Sequence, residues 1–131
     1  MAVKTALIID DEPDVTTYHG TVLSDHGWEV HTAISGADGI VLAQEKTPDV
    51  IMLDVMMPDK GGLSTLIALR KDDRTKEIPV VLVTGIQATL NADFEAFLGR
   101  FKSYNPNGYM EKPLDVDKLI STLEELTADA R

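Results

Sequence analysis

Short strand-like segments alternate with longer amphipathic segments along the whole chain, and this alternation constrains the fold more than any other feature. The strand candidates cover residues 6–9, 29–34, 47–54, 78–85 and 109–111. Most of them are continuously apolar, which is typical of strands buried on both faces. Because each is followed by a helix-length segment, the pattern predicts five βα units. Such units form an α/β domain whose parallel sheet is covered by helices on both faces.

Local signals indicate where the helices begin and which faces they bury. Pro13 suits a first helical turn, and Ser35 followed by Asp38 resembles a capping box. A fifth helix is predicted at 116–126, where apolar residues recur at helical spacing. A fourth helix is predicted by five apolar side chains that share one helical face: Leu90, Phe94, Phe97, Leu98 and Phe101.

Composition and charge narrow the kinds of function. The 131 residues fit one domain, and 22 acidic against 12 basic residues give a formal net charge of −10. That excess of acid argues against direct nucleic-acid binding and favours basic partners or cations. The absence of cysteine excludes disulfides and thiol catalysis. The N-terminal apolar run is too short for a signal peptide or a membrane span, so a cytoplasmic location is expected.

Polar side chains follow four of the predicted strands at the point where each strand ends. Asp10 and Asp11 follow the first strand, and Asp54 ends the third. Thr84 follows the fourth strand and Lys112 the fifth. In open α/β sheets, ligands bind at the carboxyl ends of the strands, near the point where the strand order reverses. With the strand order 2-1-3-4-5, these side chains would surround one cleft.

A bare carboxylate at the end of an apolar strand requires compensation, because burying an unpaired charge is costly. Crowded carboxylates also raise one another's pKa. A divalent cation removes both conflicts at Asp54, with Lys112 as a second positive charge. Oxygen donors alone favour a hard ion such as Mg²⁺. No histidine falls near a predicted strand end, so His19, His26 and His31 are expected at the surface or on helices.

Four segments occur in order along the chain: "LIIDDEP", "DVIMLDVMMPDKGG", "VVLVTG" and "GYMEKP". Together they resemble the signature segments of the response regulator receiver domain of two-component signalling. The resemblance implies a flavodoxin-like, doubly wound (βα)5 sandwich with a five-stranded parallel sheet in the order 2-1-3-4-5. It implies one receiver domain over residues 1–131, with a core at about 4–127. Because only "TADAR" follows the last helix, a stand-alone receiver without an output domain is expected.

The resemblance also implies a role for each acidic residue at the strand ends. Asp54 matches the phosphoacceptor, which takes a phosphoryl group from a histidine kinase or a histidine phosphotransfer protein and becomes an acyl phosphate. Asp11 matches the direct ligand of Mg²⁺ (or Mn²⁺), and Asp10 its neighbour, which usually acts through water. Asp54 and the backbone carbonyl of Met56 complete the ligand set. The chain is expected to be a signalling phosphoacceptor that catalyses only its own phosphorylation and dephosphorylation, and not an enzyme.

Four further residues match the machinery that responds to the phosphoryl group. Thr84 matches the hydroxyl that moves to a phosphoryl oxygen, and Lys112 matches the ammonium that pairs with the group. Tyr109 matches the aromatic side chain that turns inward as the threonine moves. Pro113 matches the proline whose preceding peptide bond is commonly cis. The resemblance places the binding of a downstream protein on the face formed by the fourth helix, the fifth strand and the fifth helix.

The chain departs from the family pattern in two places. Gly85 stands where the family often has alanine, and the interval from Thr84 to Lys112 is several residues longer than usual. The lengthened region, 86–107, carries all three phenylalanines of the chain. We therefore expect it to form the specific output surface, with Arg100 among its outward residues.

Two other functions fit parts of the sequence. A Mg²⁺-dependent phosphohydrolase with an aspartyl nucleophile is the main alternative. Such enzymes typically carry Asp-x-Asp after the first strand, whereas "LDVMMP" follows the third strand here. A flavin-binding flavodoxin is the third possibility, but the first loop, which should cradle a phosphate, is acidic.

Overall fold

A sheet of five parallel strands runs through the molecule in a computed structural model of the chain. The structure describes residues 3–55, 61–85, 99–112 and 114–128. The strand order, β2-β1-β3-β4-β5, confirms the predicted fold. The strands are β1 (Thr5–Ile9), β2 (Glu29–Ala33), β3 (Val50–Asp54), β4 (Val80–Thr84) and β5 (Gly108–Glu111).

The first, second and last of the helices begin where the sequence signals place them. They are α1 (Pro13–Asp25), α2 (Gly36–Lys46), α3 (Gly62–Lys71), α4 (the helical residues 99–102) and α5 (Val116–Leu126). Pro13 occupies the first turn of α1, and Ser35 Oγ accepts a 3.1 Å hydrogen bond from the backbone N–H of Asp38. Asp115 caps α5 in the same way, accepting from the Lys118 N–H at 3.1 Å. Within the described ranges, no helix has both the length and the apolar character that crossing a membrane requires.

Alternate residues of each buried strand point to opposite faces, so the sheet separates two apolar cores. On one face, Ile8 of β1 lies in a cluster with Leu23 of α1 and Leu119 of α5. On the other face, its neighbour Ile9 lies in a cluster with Leu66 of α3. The helices therefore cover both faces of the sheet, which is the reason that its central strands are apolar at successive positions.

The described helical residues 99–102 have the orientation that was predicted for this part of the chain. Phe101 is fully buried in the core under α2 and α3, whereas Arg100 and Lys102 are exposed. The other four apolar residues of the predicted face fall in the range 90–98, outside the described residues.

The start of α3 approaches the end of β3 more closely than a side chain would allow. A Cβ atom at Gly62 would lie 2.6 Å from Val55 Cα and 2.9 Å from the carbonyl oxygen of Asp54. Any larger residue would have to displace backbone. Glycine therefore lets α3 begin directly beside Asp54.

Candidate functional site

The carboxyl edge of the sheet brings together residues that the sequence places at strand ends. Asp10 directly follows β1, Asp54 ends β3, Thr84 ends β4 and Lys112 directly follows β5. These four strands are consecutive neighbours and run parallel, so their carboxyl ends meet at one edge. The edge therefore joins side chains that are distant in the chain, as Asp10 and Lys112 show, which are 102 positions apart.

The ammonium of Lys112 is shared by three carboxylates. Its Nζ donates a 2.8 Å hydrogen bond to Asp10 Oδ2 and lies 3.8 Å from both Asp54 Oδ2 and Glu12 Oε1. Burial opposes the charged form of Lys112. The hydrogen bond to Asp10 and the charges of all three carboxylates outweigh burial, so the pKa of Lys112 is raised above its ordinary value. Lys112 is therefore a protonated cation throughout the neutral pH range.

Two of these carboxylates are almost fully buried. Asp10 is 3% exposed and Asp54 is 4% exposed. Asp10 uses both oxygens, because Oδ1 accepts a 3.0 Å hydrogen bond from the Glu12 N–H while Oδ2 accepts from Lys112. A buried carboxylate is tolerated when a cation and hydrogen bonds replace its hydration. Lys112 thus supplies part of the compensation that the sequence demanded for Asp54.

A cluster of three carboxylates at this edge could hold a metal ion. Asp10, Asp11 and Glu12 each bring a ligand oxygen within 4.8 Å of the others. An all-oxygen donor set with this much negative charge fits a hard cation such as Mg²⁺. The ligand set predicted from the sequence has other members than this cluster. Asp54 does not belong to the cluster of three, and Met56 lies outside the described residues.

Sequence reasoning overlooked Glu12, although the signal was available as a third consecutive acid. Glu12 is the N-cap residue of α1, and its backbone N–H bonds to the Asp10 carboxylate. Its side chain is 65% exposed and lies at the outer rim of the cluster, 3.8 Å from Lys112. The start of α1 therefore turns this acid towards the strand ends.

Thr84 and Lys112 are joined through the backbone. The Lys112 N–H donates a 2.7 Å hydrogen bond to the Thr84 carbonyl, which extends the β4–β5 ladder one step beyond β5. The Thr84 side chain is fully buried, and its Oγ1 donates a long hydrogen bond of 3.5 Å to the Gly85 carbonyl. A hydroxyl with so weak a bond can turn to a better acceptor at little cost.

Tyr109 lies on β5 but outside the carboxylate cluster. Its side chain is 37% exposed. It lines a groove of about 470 Å³ together with Glu111, Asp115 and Lys118. Pro113, the predicted cis-peptide residue, lies outside the described residues.

His19 lies beside the site. It is on a helix, as one of the two expected placements has it, but it is buried and not at the surface. It is 5% exposed and shares the buried face of α1 with Thr16 and Leu23, at helical spacing. It lines a groove of about 310 Å³ with Lys112. Burial lowers the pKa of His19, the charge of Lys112 adds to that effect, and Asp10 opposes it. The spacing of His19 from Thr16 and Leu23 was the signal that could have placed it inside.

The other two histidines match the expectation. His26 is exposed just after α1 and its Nδ1 lies 2.9 Å from the Val22 carbonyl oxygen. His31 lies on the edge strand β2, where its Nε2 is 3.1 Å from Glu29 Oε2.

Comparison with known proteins agrees with this fold. Residues 6–124 match the family model of the response regulator receiver domain. The chain is 34% identical over 122 residues to protein PilH of Pseudomonas aeruginosa, covering 93% of this chain and 96% of PilH. It is 28% identical over 127 residues to the polar-differentiation response regulator DivK of Brucella anthropi, covering 97% and 98%. The crystal structure of chemotaxis protein CheY4 of Vibrio cholerae superposes with a TM-score of 0.84 at 27% identity, over 95% of this chain and 99% of that one.

The chain therefore belongs to the response regulator receiver family. It is a phosphoryl-accepting response regulator of two-component signalling with a flavodoxin-like fold. Receiver domains bind Mg²⁺ at an acidic pocket and interact with histidine kinases and downstream effectors. In this chain, Asp10, Asp11 and Glu12 form an acidic pocket at the carboxyl edge of the sheet.

Proposed function

We propose that Asp54 is the phosphoacceptor and that the residues around it assist the transfer. The observation that carries this proposal is the position of Asp54. It ends β3, is 4% exposed, and has its Oδ2 atom 3.8 Å from Lys112 Nζ. A carboxylate held beside a fixed cation can act as a nucleophile, and the cation can then stabilise the charge that arrives.

In the proposed step, a carboxylate oxygen of Asp54 forms a bond to the phosphorus of a phosphohistidine. The phosphorus–nitrogen bond breaks, and its electron pair stays with the imidazole of the donor, a histidine kinase or a histidine phosphotransfer protein. The products are an acyl phosphate on Asp54 and an unmodified histidine on the donor. Attack of water on the phosphorus later returns the carboxylate and inorganic phosphate.

Lys112 and Thr84 would receive the new charge. The phosphoryl group carries about two negative charges, which replace the single charge of the Asp54 carboxylate next to an ammonium that already lies 3.8 Å away. A small rotation of Lys112 would exchange its bond to Asp10 for one to a phosphoryl oxygen. Thr84 would turn from its 3.5 Å contact with Gly85 to another phosphoryl oxygen. Tyr109 would change position together with Thr84.

The acidic pocket is the proposed cation site. Asp10, Asp11 and Asp54 would hold Mg²⁺ (or Mn²⁺) with the backbone carbonyl of Met56, and the position of Glu12 adds a possible fifth donor. A bound divalent cation would supply positive charge to the phosphoryl oxygens. Its charge would also relieve the repulsion between these carboxylates and an incoming phosphoryl group.

The same proposal covers the partners and the setting. A downstream protein would bind the face formed by α4, β5 and α5, where Tyr109 lines its groove. The output surface would extend over 86–107, of which 99–107 is described. The chain would act in the cytoplasm as one receiver domain, residues 1–131 with a core at about 4–127. It would catalyse only its own phosphorylation and dephosphorylation, and would not turn over phosphate esters.

Incubation with Mg²⁺ and a small acyl phosphate, followed by intact mass measurement, tests the proposal. The protein should gain one phosphoryl group, and Asp54→Asn should abolish the gain. The matched control is Asp73→Asn, which alters a side chain that is 93% exposed and paired only with Lys76 on the loop after α3. That variant should be labelled like the unmodified protein. If Asp54→Asn were labelled at the rate of the unmodified protein, another residue would be the phosphoacceptor.

A further inference from the structure

The last strand, β5, has little in its own sequence to fix its register against β4. It contains four residues at the edge of the sheet, and Met110 is the only one of them that is buried. Register is normally fixed by a row of apolar side chains that must face the core. One buried side chain is a weak version of that constraint. The register of β5, in which Gly108 lies opposite Val81 and Glu111 opposite Thr84, requires support from elsewhere.

Arg70, near the end of α3, provides a dense set of hydrogen bonds just before β4 and β5 begin. All five N–H donors of its guanidinium have an acceptor. The acceptors are the carbonyl oxygens of Tyr104 (3.0 Å from Nε), Lys76 (3.2 Å from Nη1), Ile78 (2.8 Å from Nη1) and Asn105 (2.9 Å from Nη2), and Oδ1 of Asn107 (2.9 Å from Nη2). The guanidinium therefore ties the loop that leads into β4 to the loop that leads into β5.

Asn107 connects this set of bonds to the sheet itself. Its Oδ1 accepts from Arg70 and also from the Val80 N–H at 3.0 Å, and its own N–H donates to the Val80 carbonyl at 2.7 Å. Asn107 directly precedes β5 and Val80 begins β4, so the bonds fix the first rung of the β4–β5 ladder. At the other end of the ladder, the Lys112 N–H donates to the Thr84 carbonyl.

We propose that Arg70 is a positioning residue for Lys112. It acts from the amino-terminal ends of the strands, through Asn107 and the register of β5. A shift of β5 by one residue would displace Lys112 by about 3.3 Å and turn its side chain to the other face of the sheet. The contacts of Lys112 with Asp10 at 2.8 Å and with Asp54 at 3.8 Å would not survive such a shift. Arg70 itself touches no group of the site. This inference rests on the proposed role of Lys112 in the phosphorylation of Asp54.

A double-mutant cycle separates positioning from a general loss of stability. The rate of phosphorylation by a small acyl phosphate with Mg²⁺ is measured for the unmodified protein, Arg70→Gln, Lys112→Ala and the double variant, at a temperature where circular dichroism shows all four folded. Arg70→Gln should slow the reaction about fivefold when Lys112 is present and less than about twofold when it is absent. Equal slowing in both backgrounds, or no slowing, would overturn the proposal.

Matched variants sharpen the cycle. Arg74→Gln removes an exposed guanidinium whose partner is Asp72 at 3.0 Å, on the loop after α3, and should leave the rate unchanged. Arg70→Lys keeps the charge but not the five-donor fork, and should not restore the rate. Asn107→Asp keeps an Oδ oxygen for Arg70 and Val80 and should be faster than Asn107→Leu. Equal rates for the two Asn107 variants would contradict the proposed route.

Two outcomes distinguish this inference from the proposed function. If the unmodified protein itself gains no phosphoryl group, the assignment of Asp54 fails and the inference fails with it. If it is phosphorylated and the cycle shows no coupling between Arg70 and Lys112, only the inference fails. Should Arg70→Gln not fold, the same cycle is run with Asn107→Leu under the same criteria.

Discussion

At the carboxyl edge of the sheet one ammonium faces three carboxylates, whereas beyond the amino ends of β4 and β5 one guanidinium faces five uncharged oxygens. Lys112 makes a 2.8 Å hydrogen bond to Asp10 and lies 3.8 Å from two further carboxylates. Arg70 makes five hydrogen bonds of 2.8–3.2 Å, four of them to backbone carbonyls. The first arrangement can be redistributed when charge is added, because charges dominate it. The second is fixed, because every donor is already used.

The difference shows how one small domain can combine a responsive site with a rigid frame. A charged group is costly to bury unless its partners are in place. A new negative charge near Lys112 changes which group the ammonium binds most strongly. Backbone carbonyls cannot leave their position without unfolding a loop. The carboxyl edge is thus suited to respond to a ligand, and the amino edge to hold the strands that carry the responding residues.

Removal of the cation at the carboxyl edge should have the largest effect on stability. Lys112→Ala should lower the free energy of unfolding by about 2–3 kcal/mol at pH 7, since it leaves Asp10 and Asp54 buried without their shared ammonium. The stabilisation that Lys112 contributes depends on pH, because its pKa is raised in the folded protein. It is fully present below the ordinary lysine value of about 10.4 and is lost as the pH rises through the raised pKa. Urea unfolding between pH 7 and 11 measures this, and a loss in Lys112→Ala that is constant over that range would contradict the electrostatic account.

A larger side chain at the contact between α3 and β3 should have the second-largest effect on stability. Gly62→Ala places a Cβ atom 2.6 Å from Val55 Cα, so backbone must move, at a cost of about 1–3 kcal/mol. Because the moving backbone belongs to Asp54 and Val55, phosphorylation of Asp54 should slow as well. Gly99→Ala is the matched control, since among the described residues no atom of another part of the chain lies within 4 Å of its added Cβ. Thermal unfolding that ranks the two variants equally would show that the close approach is relieved elsewhere.

At the amino edge, Arg70→Gln should destabilise the fold by about 1–2 kcal/mol, because the hydrogen bonds of the guanidinium are lost. The loss is limited because water can bind part of the carbonyls that are left without a donor. In contrast to Lys112→Ala, this loss should not vary between pH 7 and 11, since the acceptors do not titrate and the guanidinium stays charged. Urea unfolding of both variants across that range is the direct comparison of the two edges. A pH dependence shared by both variants would remove the distinction between them.

The affinity for Mg²⁺ should show how much each carboxylate of the acidic pocket contributes to cation binding. Asp11→Ala should weaken Mg²⁺ binding about tenfold, because it removes a charged donor from a site with few protein ligands. Glu12→Gln should weaken it less, since Glu12 is at the exposed rim. Titration of amide chemical shifts with Mg²⁺ measures both. If Glu12→Gln had the larger effect, Glu12 and not Asp11 would be the principal charged ligand of the cation.

The smallest expected effect concerns His19, whose pKa is lowered by burial and by Lys112, with Asp10 opposing. Because His19 stays neutral in the folded state, the unfolded chain binds more protons at this position as the pH falls, which favours unfolding. Stability should therefore fall as pH decreases below about 6.5, by less than about 1 kcal/mol per pH unit. His19→Gln should remove this part of the acid sensitivity, and His26→Gln, an exposed control, should not. Identical pH profiles for all three proteins would show that His19 does not contribute.

Much of the fold was predictable because its signals are local. Continuous apolar runs indicated buried parallel strands, and the bonds of Ser35 and the first turn at Pro13 depend only on neighbouring residues. The order of the strands and the meeting of Asp10, Asp54, Thr84 and Lys112 at one edge followed from the βα repeat and the receiver segments. These features follow from periodicity, turn chemistry and the geometry of parallel sheets.

The tertiary structure alone decided how those side chains share their partners. The sequence paired Lys112 with the phosphoryl group on Asp54, yet without that group its ammonium bonds Asp10, and Glu12 joins the acidic cluster. The face of α1 that carries His19 turned inward, and Arg70 found acceptors in two loops, up to 37 residues away. These contacts depend on how helices and loops pack on the sheet, and so on the packing of the whole core. The helical spacing of His19 and the third consecutive acid at Glu12 were partial local signals, whereas the acceptors of Arg70 follow from no local pattern in the sequence.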